Sequence, residues 1–114
     1  MPCAYTRQKR LTKTGEFNRV FLARNRIQDR LFSLVYAISD QERARLGLAI
    51  AKKNLRRAVD RNRVKRLTRE SFRQSWGDLP ALDIVVLAKK EVRLASNKQI
   101  FQSLESFWQK LMGK

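Results

Sequence analysis

Residues 52–73 are the segment of this sequence whose residue types and spacing most clearly indicate a function. Their many Lys and Arg side chains are suited to binding a polyanion. The segment carries ten Lys or Arg and two carboxylates, so its net charge of +8 is half of the +16 of the 114-residue chain. A helix that is merely soluble usually intersperses both signs along its surface. Guanidinium groups match phosphate oxygens bidentately and also stack on nucleobases. The bias in sign therefore indicates a nucleic acid as partner, with an ordinary solvated charged face as the alternative interpretation.

The spacing within this segment predicts a helix over residues 55–76 with one cationic face. At about 100° per residue, five polar side chains fall within an arc of about 100°, and the apolar Val64 and Leu67 lie on the opposite side. We therefore predict that the helix packs on a sheet through Val64 and Leu67 and presents its cationic face outward. The residues predicted on or beside that face are Asn62, Lys65, Arg66, Arg69 and Arg73, with Arg61 and Arg63 at its flanks.

The side chains on which most protein hydrolases depend are scarce in this sequence. It contains no histidine and one cysteine, Cys3, which excludes a Ser-His-Asp triad, a Cys-His dyad, a His-ligated zinc and a multi-cysteine metal site. No apolar run approaches the roughly 20 residues of a membrane-spanning helix, and we expect no signal peptide. We predict a cytoplasmic protein with no catalytic side chain, no metal ligand and no membrane partner.

Periodicity predicts the elements that must position the cationic helix. Apolar residues at i, i+3 and i+4 predict a short helix near residues 13–23. Alternating apolar and polar residues predict strands over residues 30–38 and 45–51. The nearly continuous apolar run at residues 83–88 is typical of a central strand that is buried on both faces. Together these elements predict an α+β sandwich with helices packed on a small sheet.

The two ends of the chain have different patterns. Residues 1–11 carry three cations with little apolar periodicity, and we expect an extended basic arm there. The C-terminal segment predicts an amphipathic helix with Ser96 or Asn97 as its N-cap. We interpret residues 1–114 as a single RNA-binding domain. The apolar stripe of the last helix comprises Ile100, Leu104, Phe107, Trp108 and Leu111.

The strand at residues 45–51 has an unusual face. Gly47, Ala49 and Ala51 are small enough to let a helix or a ligand approach the sheet closely. We hypothesise that this face, the aromatic residues of the first helix and the cationic helix form one groove for single-stranded nucleic acid, in which bases stack on aromatic rings. Burial in the core is the alternative role of those rings. The aromatic residues concerned are Phe17 and Phe21 of the first helix, together with Tyr36 of the strand over residues 30–38.

Residues 58–70, with the sequence AVDRNRVKRLTRE, resemble the signature of the bacterial ribonuclease P protein subunit. The hallmark of that family is an Arg-Asn-Arg segment followed by Lys-Arg and Arg-Glu on one helix. Further matches, in the correct order, extend the resemblance over about residues 10–110. Leu55 departs from the pattern, because many members of the family have glycine there. The further matches are Glu16-Phe17 with Val20-Phe21, Arg45 to Leu48, Ala51 to Lys53, and Asp83 to Val86.

The resemblance implies an α-β-β-β-α-β-α fold around a four-stranded sheet, with an additional strand between residues 24 and 30. It implies that the chain is the protein subunit of ribonuclease P, which binds the catalytic RNA subunit and the 5′ leader of precursor tRNA. The protein then assists endonucleolytic removal of the leader, which leaves the mature tRNA 5′ end. Catalysis and the Mg²⁺ on which it depends would belong to the RNA subunit.

The resemblance also assigns roles to individual residues. Lys52 and Lys53 match the paired lysines at the end of a strand near the RNA surface, and Phe17 and Phe21 match aromatic residues of the leader cleft. Tyr36 is assigned to the same cleft as an aromatic residue of the second strand. The residues that match the helix facing the RNA subunit are Arg61, Asn62, Arg63, Lys65, Arg66 and Arg69.

Two other classes of protein must be compared with this interpretation. A ribosomal or other structural RNA-binding protein explains the charge equally well and needs no leader cleft. A membrane-surface binder requires a wide apolar helical face opposite its cations. The cationic helix offers only Val64 and Leu67 there, which is too little for a membrane surface.

Overall fold

The fold is a four-stranded sheet with helices on both of its faces. The computed structural model describes residues 14–23, 25–39 and 42–113. The predicted basic arm over residues 1–11 lies outside them. The order of elements confirms the expected α-β-β-β-α-β-α fold of the α+β class. The elements are α1 (Thr14–Leu22), β1 (Asn25–Gln28), β2 (Phe32–Ile38), β3 (Arg45–Ala49), α2 (Ala58–Ser75), β4 (Leu82–Ala88) and α3 (Asn97–Met112), with 3₁₀ turns at Trp76–Asp78 and Lys90–Leu94.

The strands are arranged in the order β1-β2-β4-β3. The pairs β1–β2 and β2–β4 are antiparallel, whereas β3 and β4 are parallel. Strand β1 is the additional strand that the family resemblance implied. Its four residues are mostly exposed at the edge of the sheet, which explains why they show no apolar alternation. Because parallel neighbours end at the same edge, the segments that follow β3 and β4 leave the sheet side by side.

The main core lies between one face of the sheet and the helices α2 and α3. Val64 and Leu67 are buried there, as predicted, and so is the whole predicted apolar stripe of α3. Trp108 packs edge-to-face on Phe72 of α2, with ring centroids 5.7 Å apart. Its indole Nε1 also donates a hydrogen bond of 2.8 Å to Ser71 Oγ, which satisfies both buried polar groups.

A smaller core lies on the opposite face of the sheet, beneath α1. It contains Val20 of α1 together with Val35, Ala37 and Val85. Because Val85 belongs to this core while its neighbours in β4 belong to the main core, β4 is the two-sided central strand that its apolar run predicted. Helices α1 and α2 therefore lie on opposite faces of the sheet.

Helix α2 begins at Ala58, three residues later than the predicted start. The preceding Leu55 is completely buried in the main core, and its backbone N–H donates to the carbonyl oxygen of Ala51 at 3.1 Å. Arg61 Nη1 donates to the carbonyl oxygens of Leu55 and Arg56, both at 2.8 Å. This chain thus has a core side chain at the position where the family resemblance implied glycine, and an arginine closes the turn.

A buried carboxylate joins α1 to the sheet. Asp83, at the start of β4, has no exposed surface. Arg45 of the neighbouring strand β3 donates from Nε to Oδ1 and from Nη2 to Oδ2, both at 2.8 Å. Arg19 of α1 donates to the same carboxylate and, at 3.0 Å, to the carbonyl oxygen of Ile38. Because a buried charge is stable only when it is paired, this cluster fixes α1 over the sheet.

We expect Asp83→Ala to lower the free energy of unfolding by about 3–5 kcal/mol, because the change leaves the guanidinium groups of Arg45 and Arg19 without their buried partner. Urea denaturation followed by circular dichroism measures the loss. The control is Asp78→Ala, at an exposed carboxylate, for which we expect a change within about 0.5 kcal/mol. Equal stability of the two variants would show that Asp83 does not fix α1.

Candidate RNA interface

The outward face of α2 presents the cations that the sequence predicted. Asn62, Arg66 and Arg69 are exposed, and Lys65 is half-buried at one border of the face. Arg73 is also half-buried, and its guanidinium forms an ion pair with Glu70. The opposite side of the same helix is buried in the main core. The helix backbone that carries these polar side chains is therefore held in place by its buried side.

The two arginines that flank Asn62 are already engaged within the protein. Arg61 binds the backbone before α2, as described above. Arg63 Nε donates to Asn97 Oδ1 at 3.0 Å, and its Nη2 donates to the carbonyl oxygen of Ala95. Arg61 thus fixes the start of α2 and Arg63 joins α2 to the start of α3. The sequence indicated only an RNA-binding role for these residues, whereas the structure shows that they also position the cationic face.

Lys52 and Lys53 follow β3 and are both exposed. They lie at the edge of the sheet where β3 and β4 end. The next residue, Asn54, donates from Nδ2 to the carbonyl oxygen of Ala88 at 3.0 Å and so ties the segment after β3 to the end of β4. The paired lysines therefore stand between the sheet and the beginning of α2.

The aromatic residues of α1 lie on the other face of the sheet. Phe17 is half-buried against the smaller core, beside which Ala49 and Leu87 are also half-buried. Phe21 follows one turn later on the same side of α1 and is 37% exposed. Phe17 is therefore partly in the core and Phe21 is open to solvent, on the sheet face that also carries the small and aliphatic side chains of Ala49 and Leu87. We call this arrangement the α1 cleft.

Two sequence-based expectations about this cleft differ from the structure. Tyr36 is half-buried against the main core, because its neighbours Val35 and Ala37 face α1 and side chains alternate along a strand. The structure therefore does not bring Tyr36 together with Phe17 and Phe21. The prediction of one groove shared with the cationic helix is also wrong, because the crossover from β3 to β4 places α2 on the face opposite α1.

Some cations near α2 were missed by the sequence analysis. Lys90 and Arg93 line a cavity of about 600 Å³ next to Lys53 and the first turn of α2. The available signal was the pair Lys89-Lys90, which follows β4 just as Lys52-Lys53 follows β3. This pair of lysines could be placed near Lys53 only once β3 and β4 were known to be parallel neighbours, and the sequence does not show which strands pair.

Two general properties complete the description of the site. Within residues 14–23, 25–39 and 42–113, no group of three or more acidic, cysteine or histidine side chains could hold a metal ion. None of the helices in that part of the chain is both long and apolar enough to span a bilayer.

Comparison with known proteins identifies the family. The Ribonuclease P family profile matches residues 5–112. The ribonuclease P protein components of Nitrosococcus oceani and Escherichia coli O157:H7 are 42% and 41% identical to this chain, over 91% and 94% of its length and 87% and 90% of theirs. The RNase P protein of Staphylococcus aureus superposes with a TM-score of 0.82 at 30% identity, covering 90% of this chain and 93% of that one. The Thermotoga maritima RNase P protein gives 0.79 at 25% identity, covering 89% and 96%. These matches include the cationic helix and the sheet that supports it, and the chain belongs to the ribonuclease P protein family.

Proposed function

We propose that this protein is the protein subunit of ribonuclease P, binding the catalytic RNA subunit and the 5′ leader of precursor tRNA. In this role it assists endonucleolytic removal of the leader, in the cytoplasm, to give the mature tRNA 5′ end. The observation that carries the proposal is the outward face of α2. This face presents several cationic side chains, and the opposite side of the helix is buried in the main core.

The RNA subunit is the partner that we assign to the outward face of α2. An RNA helix or loop presents closely spaced phosphates, and each neutralised phosphate releases condensed counterions. Arg66 and Arg69 project from a helix held by Arg61 and Arg63, so the backbone that carries them is already ordered before the RNA binds. Lys52 and Lys53 extend the same surface to the edge of the sheet.

The leader is the ligand that we assign to the α1 cleft. A single strand can lie over Ala49 and Leu87 because these side chains leave room, and its bases can stack on Phe21 and on the open edge of Phe17. The sheet separates the α1 cleft from α2. One protein molecule can therefore hold the leader on one face while the other face remains on the RNA subunit.

We assign the chemical step to the RNA subunit. Hydrolysis of a phosphodiester by such an RNA requires divalent metal, which stabilises the charge that develops in the transition state. Among the described residues, no three acidic, cysteine or histidine side chains come together, which supports this assignment. The protein then contributes by holding the leader and by lowering the concentration of Mg²⁺ that the RNA needs.

We expect the purified, RNA-free protein to leave precursor tRNA intact, because its sequence has no histidine and its described residues bring no three acidic side chains together. Adding the RNA subunit with Mg²⁺ is expected to produce mature 5′ ends, which gel electrophoresis of labelled precursor resolves. Treatment with a nuclease inhibitor and repeated high-salt washing control for contaminating RNases. Cleavage by rigorously RNA-free protein would contradict the assignment of catalysis to RNA.

We expect the affinity for the RNA subunit to fall steeply with salt, because binding neutralises phosphates. Lys65→Ala and Arg69→Ala are each expected to reduce the slope of log K against log salt by roughly one unit. Lys110→Ala, on the exposed side of α3, is the control and is expected to leave the slope unchanged. Unchanged slopes in both α2 variants would show that the cationic face is only solvated.

We expect the holoenzyme to bind precursor tRNA more tightly than mature tRNA, and Phe21→Ala to reduce this preference by about 1–3 kcal/mol for each stacked base that is lost. Phe17→Ala is expected to act in the same direction, with a thermal melt to account for its partial burial. Equilibrium binding of both RNAs by each holoenzyme measures the preference.

Two variants serve as controls for the leader experiment. Phe101→Ala truncates a half-buried ring against the main core, and Tyr36→Ala removes the aromatic residue that faces away from the α1 cleft. Both are expected to retain the leader preference. A folded Phe21→Ala holoenzyme with the full preference would contradict the cleft. A parent holoenzyme with no preference would favour a structural RNA-binding protein instead.

A further inference from the structure

Strand β1 carries an arginine on the face of the sheet that α1 covers. Arg26 is opposite Val35, which belongs to the core beneath α1, and residues directly opposite each other on paired strands share a face. Arg26 Nη1 donates a hydrogen bond of 3.0 Å to Ser33 Oγ, and Ser33 precedes Val35 on that same face of β2. The guanidinium of Arg26 is therefore held on the face that carries the α1 cleft.

The register of the sheet connects Arg26 to the α1 cleft. Ser33 of β2 is opposite Leu87 of β4, and Leu87 is opposite Ala49 of β3. A row of side chains thus runs across the sheet from Ala49 to Ser33, and the guanidinium of Arg26 continues this row onto β1. Because neighbouring strands are about 4.8 Å apart, the row from β3 to β1 is about 14 Å long.

Helix α1 follows the same row. Two residues separate the end of α1 from the start of β1, so the last turn of α1, which carries the exposed Phe21, lies near β1. Phe17, one turn earlier, packs against the core that contains Val85 of the central strand β4. A single strand of RNA that stacks on both rings is thereby led from the centre of the sheet towards Arg26.

The side chain of Arg26 is suited to a phosphate ligand. It is exposed, and none of the ion pairs among the described residues involves it. The bond to Ser33, a residue that is 5% exposed, favours one orientation of the guanidinium and uses one of its five N–H donors. Two further donors of such a fork can bind two oxygens of one phosphodiester group.

We propose that Arg26 binds a phosphate of the 5′ leader, and that the α1 cleft continues across the sheet to β1. The inference rests on the proposed function, since it extends the site that we assign to the leader. Ser33 is a positioning residue, because its hydroxyl accepts from the guanidinium that contacts the RNA. Arg26 thereby adds a charged contact at the end of a cleft whose other contacts are stacking and apolar.

The position of Arg26 makes its contribution depend on the length of the leader. The surface assigned to the RNA subunit reaches the sheet at Lys52 and Lys53, just after β3, so the leader enters the row at Ala49 and reaches Arg26 last. A stacked strand advances about 3.4 Å per nucleotide. About four stacked nucleotides therefore span the row, and a shorter leader ends before β1.

The test compares precursor tRNAs with leaders of about two and about eight nucleotides, which end before β1 and extend beyond it. Holoenzymes containing the parent protein or Arg26→Ala are titrated with each precursor and with mature tRNA. We expect Arg26→Ala to weaken binding of the long-leader precursor about three- to tenfold, as for one charged contact at an exposed site. We expect parental affinity for the short-leader precursor and for mature tRNA.

Two control variants accompany this experiment. Lys98→Ala removes an exposed cation from α3, on the other face of the sheet, and is expected to keep parental affinity for all three RNAs. Arg26→Lys retains the charge but not the planar fork, and it is expected to recover part of the affinity for the long leader. The melting temperature of both Arg26 variants is expected to be unchanged, because the side chain is exposed.

A double-mutant cycle tests the positioning role of Ser33. Ser33→Ala is expected to weaken binding of the long-leader precursor in the parent background and to have no effect on it when Arg26→Ala is already present. A structural role of Ser33 alone would instead give the same loss in both backgrounds, and that result would overturn the positioning role.

The extension to β1 is overturned if Arg26→Ala changes the affinity for the long and the short leader equally, or changes neither. Phe21→Ala in the same assay separates this result from a failure of the proposed function. A reduced leader preference for Phe21→Ala, together with parental behaviour of Arg26→Ala, leaves the α1 cleft in place without its extension. The absence of any leader preference in the parent holoenzyme would overturn both.

Discussion

The buried carboxylate of Asp83 is the constraint on which the arrangement of both faces depends. It lies on the central strand β4, and its two oxygens are held by Arg45 from β3 and by Arg19 from α1. Among the described residues, the core beneath α1 contains four buried apolar side chains, which give little buried area with which to hold a nine-residue helix. The ion cluster supplies what this small core lacks, and it thereby sets the position of Phe17 and Phe21 above the sheet.

The second constraint is the parallel pairing of β3 and β4. A parallel pair requires a crossover, and the crossover here is α2, which packs on the face opposite α1. The two surfaces that we propose to bind RNA thus lie on opposite sides of one thin sheet instead of in one groove. The same pairing brings the segment after β3 against the segment after β4, where their cations surround a common cavity. The charge of the protein is therefore divided over several surfaces, and this division lowers the repulsion within each.

The internal bonds of Arg61 and Arg63 show how a highly charged helix is kept rigid. Both side chains donate to acceptors outside α2, at the turn that contains Leu55 and at the start of α3. Two of the arginines of α2 thus bind neighbouring segments of the protein and hold the helix in place, while other cations of the helix are presented to solvent. Leu55 contributes to the same end by burying its side chain in the main core just before α2 begins.

The sequence by itself determined the local properties of this protein, because these depend on periodicity and charge along one element. The buried side of α2 at Val64 and Leu67, the apolar stripe of α3 and the exposure of Arg66 and Arg69 all follow from the helical repeat. The family resemblance supplied β1, whose exposed edge residues show no pattern of their own. Tertiary structure alone decided which elements face each other. It turned Tyr36 away from Phe17, placed α2 and α1 on opposite faces, and brought Lys90 and Arg93 to the end of α2. Those outcomes depend on the strand order and on the crossover. The periodicity of apolar residues along one element does not indicate which strands, distant along the chain, pair with each other.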